Sequence, residues 1–142
     1  HACISAIKIQ EALSGFTFGG EKISVRIGIA SGPATVGNMG STDRFNYSVM
    51  GETVNIAARA EQACKHICHN IVLAGALHEK TKSLDVRNAG MVPMRGVKAR
   101  TQVYAVFALN EDDTAFQKAI ANRAEDFVNQ ELKPLRGHRL EG

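Results

Sequence analysis

The sequence has no tryptophan, two tyrosines, three prolines and three cysteines in 142 residues. Three thiols cannot all pair with one another, so the composition is not that of a secreted disulfide scaffold. No apolar run approaches the roughly 20 residues that span a bilayer, and the first residues lack the basic-then-apolar layout of a signal peptide. We therefore expect a cytoplasmic chain, and a membrane anchor elsewhere in the full-length protein stays open.

An excess of one charge sign is also missing. Seventeen Lys and Arg against fourteen Asp and Glu give a net charge of only +3, and the one visible basic cluster is the last ten residues, "KPLRGHRLEG". Weak positive charge and few aromatic residues argue against a nucleic-acid partner, including a ferredoxin-like RNA-binding domain. With 44% hydrophobic residues, the chain is long enough for one domain with a real core.

Periodic patterns predict interleaved helices and strands. The predicted elements are a helix over residues 2–13, a strand over Lys22–Ser31 with one buried face, short extended stretches in "GPATVGNMG" and "FNYSVM", a helix from Glu52 to about Lys65, a buried strand "NIVLAG", a short helix "ALHEKTKS", strands over 84–94 and 101–109 joined by a basic turn, and a final helix starting near Thr114. This order predicts an α/β or α+β class built around one largely antiparallel sheet. We expect one domain over residues 1–109, followed by a helix and basic tail over 110–142.

Two polar residues give the second predicted long helix an unusual face. Asn55 and Arg59 are four positions apart, so on a helix they project from the same side and can reach one ligand together. An amide beside a guanidinium suits a sugar hydroxyl next to a phosphate. The spacing alone leaves open a solvated face or an intramolecular ion pair.

A second cluster stands in the stretch "CKHICH". Cys64, His66, Cys68 and His69 offer zinc ligands, with thiols at i and i+4. The competing interpretation is that these cysteines are small core residues, which is the usual role of a free cysteine. We favour the core interpretation.

The segment "VRIGIASGPATVGNMGSTDRFNYSVMGETVNIAARAE" carries a specific resemblance. It resembles the second half of a class III adenylate/guanylate cyclase catalytic domain, in which an arginine-led strand and glycine turns precede a "G-[DEN]-x-V-N-x-A-x-R" helix. The resemblance extends from about Ala2 to Phe107 and is strongest to bacterial members. It implies an α+β, ferredoxin-like class III nucleotide cyclase fold, present in part, with an extra C-terminal helix.

The resemblance also implies a reaction and its residues. Cyclases of this class convert ATP to 3′,5′-cyclic AMP and pyrophosphate, or GTP to cyclic GMP, in intracellular signalling. Asn55 would orient the ribose, Arg59 would stabilise charge on the α-phosphate, and Ser48 stands at the position that reads the purine, where serine favours ATP. The family implies a second cyclase domain as partner, typically in a homodimer, and often an upstream sensor domain.

Two departures from the family pattern concern phosphate and metal binding. In "MRGVKARTQVYAV", Arg95 replaces the lysine that binds phosphate in the family, which keeps the charge but changes its geometry. The aspartates that bind Mg²⁺ or Mn²⁺ in the family belong to an upstream region, and this sequence has no Gly-Asp pair. We expect the metal ligands upstream of this chain and no activity from the chain alone. The alternative is an inactive cyclase-like module that binds nucleotide or has a regulatory role.

Overall fold

The computed structural model describes residues 1–40, 46–75, 81, 83–93 and 100–131. Its elements, in chain order, are α1 (Ala2–Leu13), β1 (Thr17–Phe18), β2 (Glu21–Lys22), β3 (Ile27–Ala30), β4 (Thr35–Met39), β5 (Asn46–Met50), α2 (Glu52–Ile67), β6 (Ile71–Ala74), β7 (Asp85–Pro93), β8 (Arg100–Phe107) and α3 (Thr114–Glu131). The predicted "ALHEKTKS" helix lies almost wholly outside the described residues. The turn between β7 and β8 and the basic tail also lie outside them.

Four strands form the main sheet in the order β3-β6-β8-β7. β3 and β6 are parallel, whereas β6 with β8 and β8 with β7 are antiparallel. Strands β1 with β2 and β4 with β5 form two separate hairpins. The predicted α+β class and the largely antiparallel sheet are therefore confirmed. The helices over 2–13 and from Thr114 are confirmed as well, and α2 runs two residues past its predicted end.

Each face of the main sheet carries a core cluster. Successive strand residues point to opposite faces, so the same strands contribute side chains to both clusters. One core cluster lies under α2 and includes Ile67, Val72 and Phe107. The other lies under α1 and includes Leu73 and Val106. Strand β6 is buried at all four positions, as its continuous apolar sequence predicts. Burial of both sheet faces fixes α2 against the strands that it crosses.

The strand predicted over Lys22–Ser31 is wrong in its length and in its single buried face. Lys22 belongs to the short strand β2 and only Ile27–Ala30 form β3, which lies at the edge of the described four-stranded sheet. Residues 23–26 are drawn to other partners: the amide of Ile23 donates to the carbonyl of Phe16, and the carbonyl of Val25 accepts from the Gln10 side chain. Alternation did place Ile27 and Ile29 on the α1 side, but α2 covers the other side. An alternation with a period of two predicts a strand, but it does not predict that a helix packs against the face that carries Gly28 and Ala30.

The final helix is anchored at its first turn. Phe116 is buried in the α2-side core and makes an edge contact with Phe107, with 5.2 Å between ring centroids. Arg87 bonds to both Asp85 and Asp113 and lies over the Phe107 ring at 4.4 Å. This cluster ties the start of α3 to strands β7 and β8. In the described part of the chain, no helix has the length and apolar character needed to cross a membrane.

Candidate functional site

Helix α2 begins at a glycine that its turn requires. Gly51 caps the helix with φ +141°, which is the region that favours glycine. Within the first turn of α2, the Thr53 hydroxyl donates to the Pro33 carbonyl at 2.7 Å. The hydroxyl therefore ties the first turn of α2 to the loop that follows β3. The helix then runs without glycine or proline over alanine-rich sequence.

A second glycine sets how closely α2 approaches β3. A Cβ placed on Gly28 would lie 2.1 Å from the Ala57 carbonyl oxygen and 2.4 Å from the Glu61 amide nitrogen. Only a residue without a side chain allows two backbones this close. Arg26, at the entrance to β3, pairs with Glu61 at 2.8 Å. The position of α2 is thus fixed by backbone contact and by an ion pair.

The face of α2 away from the sheet carries the two predicted site residues. Asn55 is exposed and Arg59 is half-buried, whereas Ala60, Cys64 and Ile67 on the opposite face are buried. The guanidinium of Arg59 donates through Nη1 to the Gln62 side-chain oxygen at 2.9 Å. Its described partner is therefore a neutral amide and not a carboxylate. The predicted common face is confirmed, while the roles in ribose and phosphate binding stay predictions.

Ser48 lies in the middle of β5, opposite Gly37 of β4. It is half-buried, whereas its neighbours Tyr47 and Val49 are exposed. Because side chains alternate along a strand, Ser48 faces the opposite side from those neighbours. The chain continues from β5 through Gly51 directly into α2, so Ser48 and Asn55 belong to one strand–turn–helix unit. Arg95 lies outside the described residues.

The other side of this hairpin is an exposed apolar face. Val36 is paired with Val49 and Asn38 with Tyr47, so these four side chains share one side of the two-stranded sheet. The exposed fractions are 52% for Val36, 49% for Val49 and 77% for Tyr47. We call these four residues the hairpin face. No other described strand pairs with this hairpin.

The stretch "CKHICH" forms part of the core at three positions, Cys64, Ile67 and His69. Burial, followed by the nearby negative charge of Glu61, raises the pKa of the Cys64 thiol to about 11. A neutral buried thiol is a poor metal ligand, since the thiolate is the ligating form. His69 is buried, its Nε2 lies 2.6 Å from the Val106 carbonyl, and its ring stacks on Phe107 at 4.1 Å. The core interpretation of the cysteines is therefore confirmed for Cys64 and wrong for Cys68, which is exposed.

Metal ligands were expected upstream of this chain. Within the described ranges, no group of three or more His, Cys, Asp or Glu side chains could hold a metal ion. Mg²⁺ prefers several oxygen ligands in octahedral geometry. The described donor set therefore does not fit Mg²⁺ or Mn²⁺.

Sequence reasoning missed three features of this site. Gln62 stands three positions after Arg59, a spacing that places two helix side chains within reach. Gly28, between two isoleucines of a strand, is the pattern expected where another backbone approaches closely. The ion pair of Arg26 with Glu61 spans 35 positions and leaves no local sequence signal.

Comparisons with known proteins agree on one family. The sequence model for the "Adenylate and Guanylate cyclase catalytic domain" matches residues 2–108. The chain is 31% identical over 112 residues to adenylate cyclase 1 of Rhizobium meliloti, covering 75% of this chain and 17% of that protein. It is 27% identical over 122 residues to the terminal-differentiation-specific adenylate cyclase of Dictyostelium discoideum, covering 80% of this chain and 6% of that protein.

Solved structures give the same result. The guanylate cyclase domain of RhGC from Catenaria anguillulae, in complex with GTP, superposes with a TM-score of 0.63 at 27% identity, covering 75% of this chain and 58% of that one. The adenylyl cyclase CyaB from P. aeruginosa superposes with a TM-score of 0.55 at 26% identity, covering 77% of this chain and 54% of that one. The chain thus spans little more than half of these structures and a small part of the curated relatives.

Proposed function

Because this chain belongs to the family of adenylate and guanylate cyclase catalytic domains, we propose that it is the C-terminal part of a class III cyclase domain that makes 3′,5′-cyclic AMP from ATP. The family and the class III cyclase fold predicted from residues 25–61 are confirmed. The division into a cyclase part over 1–109 and a helix and tail over 110–142 belongs to the proposal. So does a cytoplasmic location.

The observation that carries the proposal is the shared face of Asn55 and Arg59 on a helix fixed against β3. In the proposed reaction the ribose 3′-oxygen attacks the α-phosphorus, the bond to the pyrophosphate oxygen breaks, and the 3′-hydroxyl proton is lost. Negative charge shifts over the phosphate oxygens as this happens. The positively charged guanidinium of Arg59 stabilises that negative charge. The Asn55 amide can both donate a hydrogen bond to the ribose and accept one from it.

The preference for ATP rests on Ser48. Its hydroxyl can accept a hydrogen bond from the adenine amino group, although it can also donate to the guanine oxygen. The half-buried position of Ser48, on the side of β5 away from the hairpin face, supports a contact with a base. The relatives include proteins named as adenylate cyclases and a guanylate cyclase domain solved with GTP, so base choice belongs to the proposal.

A second cyclase domain is the proposed partner, most simply a second copy. Exposed Val36, Tyr47 and Val49 form an apolar face of the kind that marks a protein interface when it is contiguous. The proposed cofactor is Mg²⁺ or Mn²⁺, with its ligands upstream of this chain. An upstream sensor domain belongs to the same proposal.

A cyclase-like module without turnover is the second candidate. It is favoured by Arg95, which replaces the phosphate-binding lysine of the family. The arginine fork binds phosphate oxygens in a planar, two-point geometry and not as a point charge. Tight nucleotide binding in the absence of catalysis would be its signature.

The test is an assay of the longer protein that we propose carries this chain. Cyclic AMP and cyclic GMP are measured with ATP or GTP under one metal condition, and nucleotide binding is measured by calorimetry on the same sample. The proposal expects cyclic AMP, and it expects Asn55→Ala to lower turnover strongly. Nucleotide binding without any cyclic product would establish the module instead.

A further inference from the structure

Helix α2 carries a further polar contact beside the proposed site, in which Gln62 bonds to Arg59. The Gln62 side chain is exposed, and its Oε1 accepts from Nη1 of Arg59 at 2.9 Å. Long helix side chains lean toward the preceding turn, so Gln62 reaches back over Arg59. The contact thus restricts the Arg59 side chain.

The chemistry of this contact differs from that of an ion pair. Gln62 contributes a neutral carbonyl oxygen, so the guanidinium keeps its full charge. Arginine has five N–H donors, and among the described residues the Nη1 bond to Gln62 uses one of them, which leaves donors for phosphate oxygens. A carboxylate at position 62 would instead occupy the fork and neutralise it.

The carboxylate of Glu61 lies on a different side of α2 from Arg59, because residues two apart on a helix do not face each other. Glu61 pairs with Arg26 at 2.8 Å, with both side chains about one-third exposed. The backbone at Glu61 lies close to Gly28, which places Glu61 on the β3 side of α2. Arg26 therefore pairs with the Glu61 carboxylate, whereas Arg59 bonds to the neutral side-chain amide of Gln62.

We propose that Gln62 is a positioning residue for Arg59, which restrains the guanidinium for phosphate binding without neutralising it. This inference rests on the proposed function. It extends that function to a residue outside the family motif quoted above.

The first arm of the test uses the 142-residue chain and does not depend on catalysis. Nitrogen-15 NMR measures how fast the Arg59 guanidinium rotates, with its signal assigned by loss in Arg59→Lys. Gln62→Met keeps the side-chain length and removes the acceptor, so rotation should become at least about twofold faster as one hydrogen bond is lost. Lys65→Met, a matched change on the exposed side of the same helix, should leave it unchanged. Equal rotation in wild type and Gln62→Met would overturn the contact.

The second arm measures kcat and KM in the longer protein. Gln62→Met should lower kcat by about 2- to 13-fold, the range for one neutral hydrogen bond, with little change in KM. Gln62→Glu should lower it further because the new carboxylate competes with phosphate for Arg59. In an Arg59→Ala background neither change should matter, since the two residues act as a unit.

The possible results separate the positioning role of Gln62 from the proposed function. A wild-type kcat in Gln62→Met, or an effect that persists without Arg59, would overturn the positioning role. Loss of melting temperature at unchanged kcat would do the same, because it would show a merely structural contact. A longer protein with no turnover would overturn the proposed function and the catalytic role together, and the NMR arm would then show whether the contact itself is real.

Discussion

Replacing Gly28 by alanine should separate α2 from β3. The added Cβ would lie 2.1 Å from the Ala57 carbonyl oxygen and 2.4 Å from the Glu61 amide nitrogen, while ordinary contact begins at 3.4 Å. Both obstacles are backbone atoms, so no side chain can rotate aside, and the helix must move by about 1 Å in a close-packed core. Overpacking typically costs about 1–3 kcal/mol, and we expect about 3 kcal/mol here.

Urea unfolding of the 142-residue chain measures this cost. With a slope of about 1–3 kcal/mol/M, the midpoint should fall by about 1–3 M. Gly37→Ala is the matched control, because Gly37 is also in a strand and has nothing within 4 Å of the added Cβ. Its free energy of unfolding should change by less than about 0.5 kcal/mol. Equal stabilities for the two variants would refute the close approach of α2 and β3.

Three further predictions concern activity, base choice and pH. The purified 142-residue chain should make no cyclic AMP from ATP with Mg²⁺ or Mn²⁺, because the metal ligands are expected outside it; measurable product would contradict this. In the longer protein, Ser48→Ala should lower the ATP-to-GTP ratio of kcat/KM by about tenfold at most, the scale of one hydrogen bond, and an unchanged ratio would remove Ser48 from base reading. Bonds from Arg87 lower the pKa of Asp85, and bonds from Gln117 and then Arg87 lower that of Asp113, from the usual 3.8. The lowered pKa values of Asp85 and Asp113 stabilise the folded state above pH 3.8, and this stability is lost as the pH falls. The difference in melting temperature between wild type and Arg87→Met should therefore shrink in acid. A difference that is independent of pH would exclude these bonds as its source.

Local pattern was sufficient for the helices and most strands of this fold. The spacing of apolar residues located α1 and α3, and the run without glycine or proline located α2. The strand predicted over Lys22–Ser31 failed because its first half bonds to Phe16 and Gln10, which are brought near only by the fold. Alternation has no information on such partners.

The residues of the candidate site also differ in whether the sequence alone could predict them. Asn55 and Arg59 could be paired from their spacing, because a helix fixes which residues share a face. Their functional interpretation needed the family motif, since spacing alone also fits a solvated face. Gln62 was within reach of the same spacing argument. The Arg26–Glu61 pair was not, because it depends on how closely Gly28 lets two backbones approach.

The most direct measurement of the central claim is steady-state turnover of ATP by the longer protein with Arg59→Ala. The negative charge that Arg59 stabilises on the phosphate develops mainly in the transition state, so kcat should fall by roughly 10²-fold or more while KM changes little. Arg59→Lys should recover only part of the loss, because a point charge does not reproduce the planar fork. An unchanged kcat with a raised KM would contradict the account and make Arg59 a ground-state binding residue.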